Sequence, residues 1–142
     1  MKIIIAGTGG YGVKFLGTLL GKILMRDYNV VVFFDYDAAS RGGDIISYVV
    51  CSKDKIGNPT IDEADLLLRF DKTNKEVKGK EVIEFNYDCK GFKPNMVGLG
   101  LLLNKLNIRV SKDELRSLIT KDTENNINGV DLGLNLEVKN GN

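Results

Sequence analysis

Ile3 to Val13 reads Ile-Ile-Ile-Ala-Gly-Thr-Gly-Gly-Tyr-Gly-Val, an apolar run that passes through glycines straight into a helical pattern. The run is too short for a helix and rich in β-branched residues, so Lys2 to Ala6 is predicted as a central parallel strand. The turn after it leaves backbone N–H groups outward at a helix N-terminus, a cradle for a phosphate or another anion. Gly7, Thr8, Gly9, Gly10, Tyr11 and Gly12 fit the dinucleotide fingerprint, which many α/β chains share in some form. A second loop, Ser40, Arg41, Gly42 and Gly43, follows the next strand. The two loops together are much less common than either alone.

The remaining pattern alternates strands with helices. Tyr11 to Arg26 is helical, with Val13, Leu16, Leu20, Ile23 and Leu24 on one face. Gly17 and Gly21, four apart on that helix, predict a close approach of its backbone to a strand. Further strands are predicted at Asn29 to Phe34, Asp44 to Ser52, Ala64 to Phe70 and Glu81 to Phe85. Pro94 suits the first turn of a helix reaching about Leu106, apolar nearly all round and so buried on more than one side. Ser111-Lys112-Asp113-Glu114 is a capping box that starts a helix over about Lys112 to Lys121. Thr123 to Gly129 reads as a polar connector. Val130 to Val138 alternates as a strand does, yet Val130, Leu134 and Val138 share a helical face. The fold class is α/β, a Rossmann-like, open and mostly parallel sheet with helices on both faces and a helical C-terminal third.

Composition narrows the function. The 142 residues predict a single domain with one core. A net charge of +1 provides no field toward nucleic acid or a membrane surface. No apolar run approaches the ~18 residues of a membrane span, and Met1-Lys2-Ile3 enters a strand with no room for a leader, so the expected location is cytoplasmic. The chain has two cysteines, Cys51 and Cys89, and no histidine. An iron–sulfur cluster needs about four thiolates and a zinc site about four Cys or His ligands, so these residues build neither. Without histidine, Ser-His and Cys-His nucleophilic mechanisms are excluded. Cys51 ends an apolar run and reads as packed.

Several charged residues have two readings. Arg41 suits a bidentate grip on phosphate or an interface ion pair. Asp35 and Asp37 suit a ribose hydroxyl, as acids do after the second strand of NAD-binding domains, or cap their loop through Asx turns. Asp65 and Asp71 read as solvated strand ends, and Lys72 to Lys80 as a solvated connector.

The ordered set resembles a known family. Gly-x-Gly-Gly-x-Gly-Val after the first strand, Arg-Gly-Gly followed by Ser47-Tyr48-Val49-Val50-Cys51-Ser52, then Ala64-Asp65-Leu66-Leu67-Leu68, looks like the gamma subunit of 2-oxoacid:ferredoxin oxidoreductases. Asn95-Met96-Val97-Gly98-Leu99-Gly100 resembles the segment that opens a late helix there, and the likeness spans about residues 2 to 121. This chain is shorter than members of that family, chiefly between Phe70 and Pro94, and has Tyr11 where they usually have Gln. The resemblance implies a supporting role in thiamine-diphosphate-dependent oxidative decarboxylation of a 2-oxoacid. Pyruvate, 2-oxoisovalerate, 2-oxoglutarate and indolepyruvate are the family's substrates. The chain alone binds no cofactor on this reading; thiamine diphosphate, iron–sulfur clusters and coenzyme A belong to the assembled complex. The implied partners are alpha, beta and ferredoxin-like (delta) subunits. The all-round apolar helix, or a sheet face bared by the shortened region, is expected to bury against such a subunit or a second copy in a homodimer. The glycine loop and the Ser40 to Gly43 loop are the implied cofactor-binding edge, and no catalytic or metal residue is implied. The family's short terminal helix favours helix over strand in the tail. A small NAD- or nucleotide-binding Rossmann domain with a regulatory role, or a trimmed scaffold paralogue, is the alternative.

Overall fold

The computed structural model describes residues 1–37 and 43–138. They form two compact units, Met1–Asn86 and Tyr87–Val138. The first holds β1 (Lys2–Thr8), α1 (Val13–Leu24), β2 (Asn29–Tyr36), β3 (Asp44–Ser52), β4 (Ala64–Arg69) and β5 (Gly79–Glu84). The second holds α2 (Pro94–Lys105), α3 (Lys112–Leu118) and α4 (Thr123–Leu134).

The five strands lie in the order β2-β3-β1-β4-β5. β1 and β4, and β4 and β5, pair parallel, whereas β3 is antiparallel to both β1 and β2. Four strands therefore share one direction and β3 opposes them, an open and mostly parallel α/β sheet. β1 is central but parallel on one side only, which corrects the expectation for Lys2 to Ala6. Connection length is the cause. Seven residues, 37–43, separate β2 from β3, too few for the dozen or more that a parallel crossover needs, so the two strands pair antiparallel.

α1 lies on one face of this sheet, with Val13, Leu16, Leu20, Ile23 and Leu24 all buried. Its glycines do what their spacing predicts. A Cβ on Gly17 would stand 2.6 Å from both Cβ and Oγ of Ser47, and one on Gly21 would stand 2.5 Å from Val32 Cγ2. Ser47, fully buried, fills the space that Gly17 leaves, and its hydroxyl donates to the Val13 carbonyl at 2.9 Å.

On the opposite face Ile4, Ala6, Ile46, Tyr48, Ala64 and Leu67 form a cluster packed by Phe33, Ile61, Val77 and Val82. Ile61 and Val77 come from loops. Residues 72–80 are thus no mere solvated connector. The Asp44 carboxylate accepts from the Asn74 and Lys75 N–H groups at 2.7 and 3.1 Å. The Lys75 ammonium pairs with Asp35 and lies 5.6 Å from the centre of the Tyr48 ring.

In the second unit Pro94 opens α2, and Asn95 to Leu103 are all buried within this one chain. Of the two surfaces expected to bury in part against another subunit or a second copy, α2 is thus already covered. Ser111 caps α3, its Oγ accepting from the Glu114 N–H at 3.1 Å. Of the tail from Val130 to Val138, the part to Leu134 is helical and the rest is not; α4 begins at Thr123, so the stretch read as a polar connector is the first half of a helix. Its polar residues carry little helix propensity, and α4 is stabilised instead by packing on α2. The two helices meet at glycine: a Cβ on Gly133 would lie 2.9 Å from Gly100 Cα, and one on Gly100 would lie 2.7 Å from the Leu134 nitrogen.

Candidate functional site

The glycine loop is built by the end of β1 and the start of α1. Gly10 has φ +100° and Gly12, which caps α1, has φ +71°. Both conformations favour glycine, and Gly12 delivers the chain into α1 with no side-chain cap. Gly7 serves packing instead. A Cβ there would stand 3.1 Å from Val13 Cγ2 and 3.2 Å from Phe70 Cβ.

The structure brings Gly43 of the second loop to the first. The Gly9 N–H donates to the Gly43 carbonyl at 3.0 Å, and the Tyr11 N–H donates to the Thr8 carbonyl at 3.4 Å. These two loop donors are thus engaged within the chain. Among the described residues, nothing lies within 4 Å of where a Cβ on Gly10 would be. Ser40, Arg41 and Gly42 lie outside the described residues.

Beside this contact is a recess of about 280 Å³ lined by Gly9, Lys14, Tyr36, Asp37, Gly43, Asp44 and Ile45. Lys14 stands in the first turn of α1, which carries no acidic residue, and its ammonium lies 5.3 Å from the centre of the Phe34 ring. A cation at a helix N-terminus opposes the helix dipole, so both act together on an approaching anion. Asp44 turns its carboxylate to Asn74 and Lys75.

Tyr11 takes another direction. Its ring stacks on Phe70 at 5.5 Å between centroids, and Phe70 meets Phe85 at 4.6 Å. These residues follow β1, β4 and β5, so an aromatic column covers the carboxyl ends of three adjacent parallel strands. Thr8 extends the same edge, its hydroxyl donating to Asp71 at 3.2 Å. Of the residues expected in the site, Gly9 and Gly43 line the recess and Tyr11 does not.

The other charged residues are largely structural. Asp35 is held by Lys75, and that bond raises the Lys75 pKa. Asp65 accepts from the Lys2 N–H at 2.8 Å, which lowers its pKa, and it lies 3.6 Å from Lys80. It fastens the start of β1 to β4 and is more than a solvated strand end. Burial raises the Cys51 thiol pKa, as suits a packed residue. Among the described residues no cluster of His, Cys, Asp or Glu could hold a metal ion, and no helix is long and apolar enough to cross a membrane. Sequence reading missed Ser47, Asp44 and Lys75. Each acts through contacts 30 or more residues away, which no local pattern signals.

An open, mostly parallel sheet with a glycine turn at the carboxyl end of its central strand defines a Rossmann-like class. The particular family follows from comparison with known proteins. Residues 2–82 match the family described as pyruvate ferredoxin/flavodoxin oxidoreductase, and the chain belongs to it. No curated protein matches the chain. Among solved structures it is similar to 2-oxoglutarate:ferredoxin oxidoreductase from Magnetococcus marinus, with 20% identity and a TM-score of 0.72. That likeness covers 98% of this chain and 32% of the other, so this chain spans about a third of that protein's length. It is also similar to the keto/oxoacid ferredoxin oxidoreductase gamma subunit from Geobacter sulfurreducens, with 18% identity and a TM-score of 0.65 over 93% and 95% of the two chains. Pyruvate oxidoreductase subunit PORC from Thermotoga maritima gives 15% identity and 0.65 over 95% and 93%.

Proposed function

We propose that this chain is the gamma-type subunit of a 2-oxoacid:ferredoxin oxidoreductase and supports oxidative decarboxylation performed with partner subunits. The observation that carries this reading is the family match across the whole sheet unit, residues 2–82. The shared fold with two gamma subunits over more than nine-tenths of each supports it. With two cysteines and no histidine, the chain cannot by itself supply the roughly four ligands of a cluster. Electron transfer to ferredoxin, and the carbanion chemistry that thiamine diphosphate supplies when bound, therefore fall to alpha, beta and delta-type partners.

The Magnetococcus structure has coenzyme A bound, and the residues here fit one anionic group of such a ligand. No described residue crowds the Cβ position of Gly10, and Lys14 supplies a cation in the first turn of α1, which itself carries no acidic residue. On this reading Gly10, Lys14 and the first turn of α1 hold a phosphate. Ser40, Arg41 and Gly42 add to the same edge on the strength of their sequence pattern. The compartment consistent with these partners is the cytoplasm.

Thermal shift with coenzyme A, NAD and thiamine diphosphate tests the site. Coenzyme A raises Tm for the wild type and less for Lys14→Ala. A shift with NAD alone would favour the nucleotide-binding alternative, and Arg41→Ala that melts the fold without weakening ligand binding would make Arg41 structural.

A further inference from the structure

We infer that the outer edge of β2 pairs with the same edge of a second copy of this chain, joining two sheets into one. This goes beyond the subunit reading and does not depend on it.

The two ends of the sheet differ in kind. β5, at one end, carries Lys80, Glu81 and Glu84, with Lys80 near Asp65 at 3.6 Å and Glu84 near Arg69 at 3.5 Å. Charged edges of this sort discourage further pairing. β2, at the other end, runs Asn-Val-Val-Val-Phe-Phe-Asp-Tyr over Asn29–Tyr36. It has no lysine, proline or glycine, and Val30 to Phe34 are each only half-buried. Among the described residues no strand pairs with its outer side. An edge whose centre, Val30 to Phe34, is apolar without interruption and whose one charge, Asp35, is already paired is a template for another strand.

Self-complementarity selects a second copy as that strand. Side chains alternate between the faces, so a two-fold axis normal to the sheet must pair residues of equal parity. Centred on Val32, it sets Val30 against Phe34, Val31 against Phe33 and Asn29 against Asp35. From Val30 to Phe34 apolar residues face apolar residues. The strand's one charge, Asp35, meets an asparagine and already has Lys75 as its counter-ion, so no like charges oppose each other. Cross-strand aromatic and β-branched pairs of this kind are favourable. A cleft of about 350 Å³, lined by Phe33, Tyr48, Ile61 and Lys75 among others, opens beside the same edge, where the partner's Val31 would come opposite Phe33.

The full chain should sediment as a dimer at concentrations rising from about 1 to 200 µM, the dimer growing by mass action. Over the same range, hydrogen exchange in the 29–36 peptide should slow by about tenfold or more, since unpaired edge amides become bonded. Val31→Lys should stay folded by circular dichroism and sediment as a monomer. A monomer at every concentration overturns the proposal and leaves β2 to a strand of another protein. A dimer whose 29–36 amides exchange equally fast throughout, or a folded Val31→Lys dimer, overturns it as well. Should Val31→Lys fail to fold, the wild-type exchange measurement alone decides.

Discussion

The sheet unit and the helical unit both place glycine where elements touch, but the glycines yield to different neighbours. In the sheet unit, Gly17 and Gly21 make room for side chains, Ser47 and Val32. In the helical unit, Gly100 and Gly133 make room for backbone. A side chain can rotate or be replaced, whereas a helix backbone moves only if the whole crossing opens. The glycines of the site loop form a third case. A Cβ on Gly10 would meet nothing among the described residues, so its φ of +100° is what favours glycine there.

That ranking predicts the order of mutational effects. Gly133→Ala and Gly100→Ala should be the most damaging, at the top of or beyond the ~1–3 kcal/mol typical of overpacking. Urea denaturation would check it, and a cost below that of Gly21→Ala would break the comparison. Gly21→Ala should cost about 1–3 kcal/mol. Adding Val32→Ala should recover part of that loss, because the two sites share one contact.

Gly10→Ala should cost about 1 kcal/mol, the penalty of left-handed backbone on a residue with a Cβ. Tm falls slightly and the fold is retained. A loss as large as that of Gly133→Ala would mean that Gly10 packs against something after all.

The smallest effect concerns Asp65. Its folded pKa lies below the usual carboxylate value because the Lys2 N–H bonds the ionised form. A depressed pKa means the contribution is complete above the unfolded value of about 4 and is lost as pH falls through the folded value. With the side chain 46% exposed, solvent screening keeps it under about 1 kcal/mol. Asp65→Asn should therefore lower Tm slightly at neutral pH, and the difference should shrink as pH falls below about 4.

Much of this was legible in the sequence because it is local. The bounds of β3, the capping of α3 by Ser111 and the approach of α1 through Gly17 and Gly21 all follow from spacing. What was hidden depends on distant partners. The reversed direction of β3 follows from loop length and strand order together. The first half of α4 is concealed by Thr123, Asn125 and Asn126, poor helix formers whose helix exists because Gly129, Val130 and Gly133 have α2 to pack on. In the site, the contact of Gly9 with Gly43 joins one described residue from each of the two motifs. The diversion of Tyr11 into a stack with Phe70 and Phe85 was not, since those three residues gather only when β1, β4 and β5 lie side by side.

The most direct test of the functional account is reconstitution. Thiamine-binding and cluster-bearing partner subunits from the same source are assayed for 2-oxoacid-dependent reduction of a viologen with coenzyme A, with and without this chain. The account predicts that the chain alone is inert, that it copurifies with the partners, and that adding it raises their turnover. Turnover by the isolated chain, or partner activity indifferent to its presence with no complex formed, would contradict it.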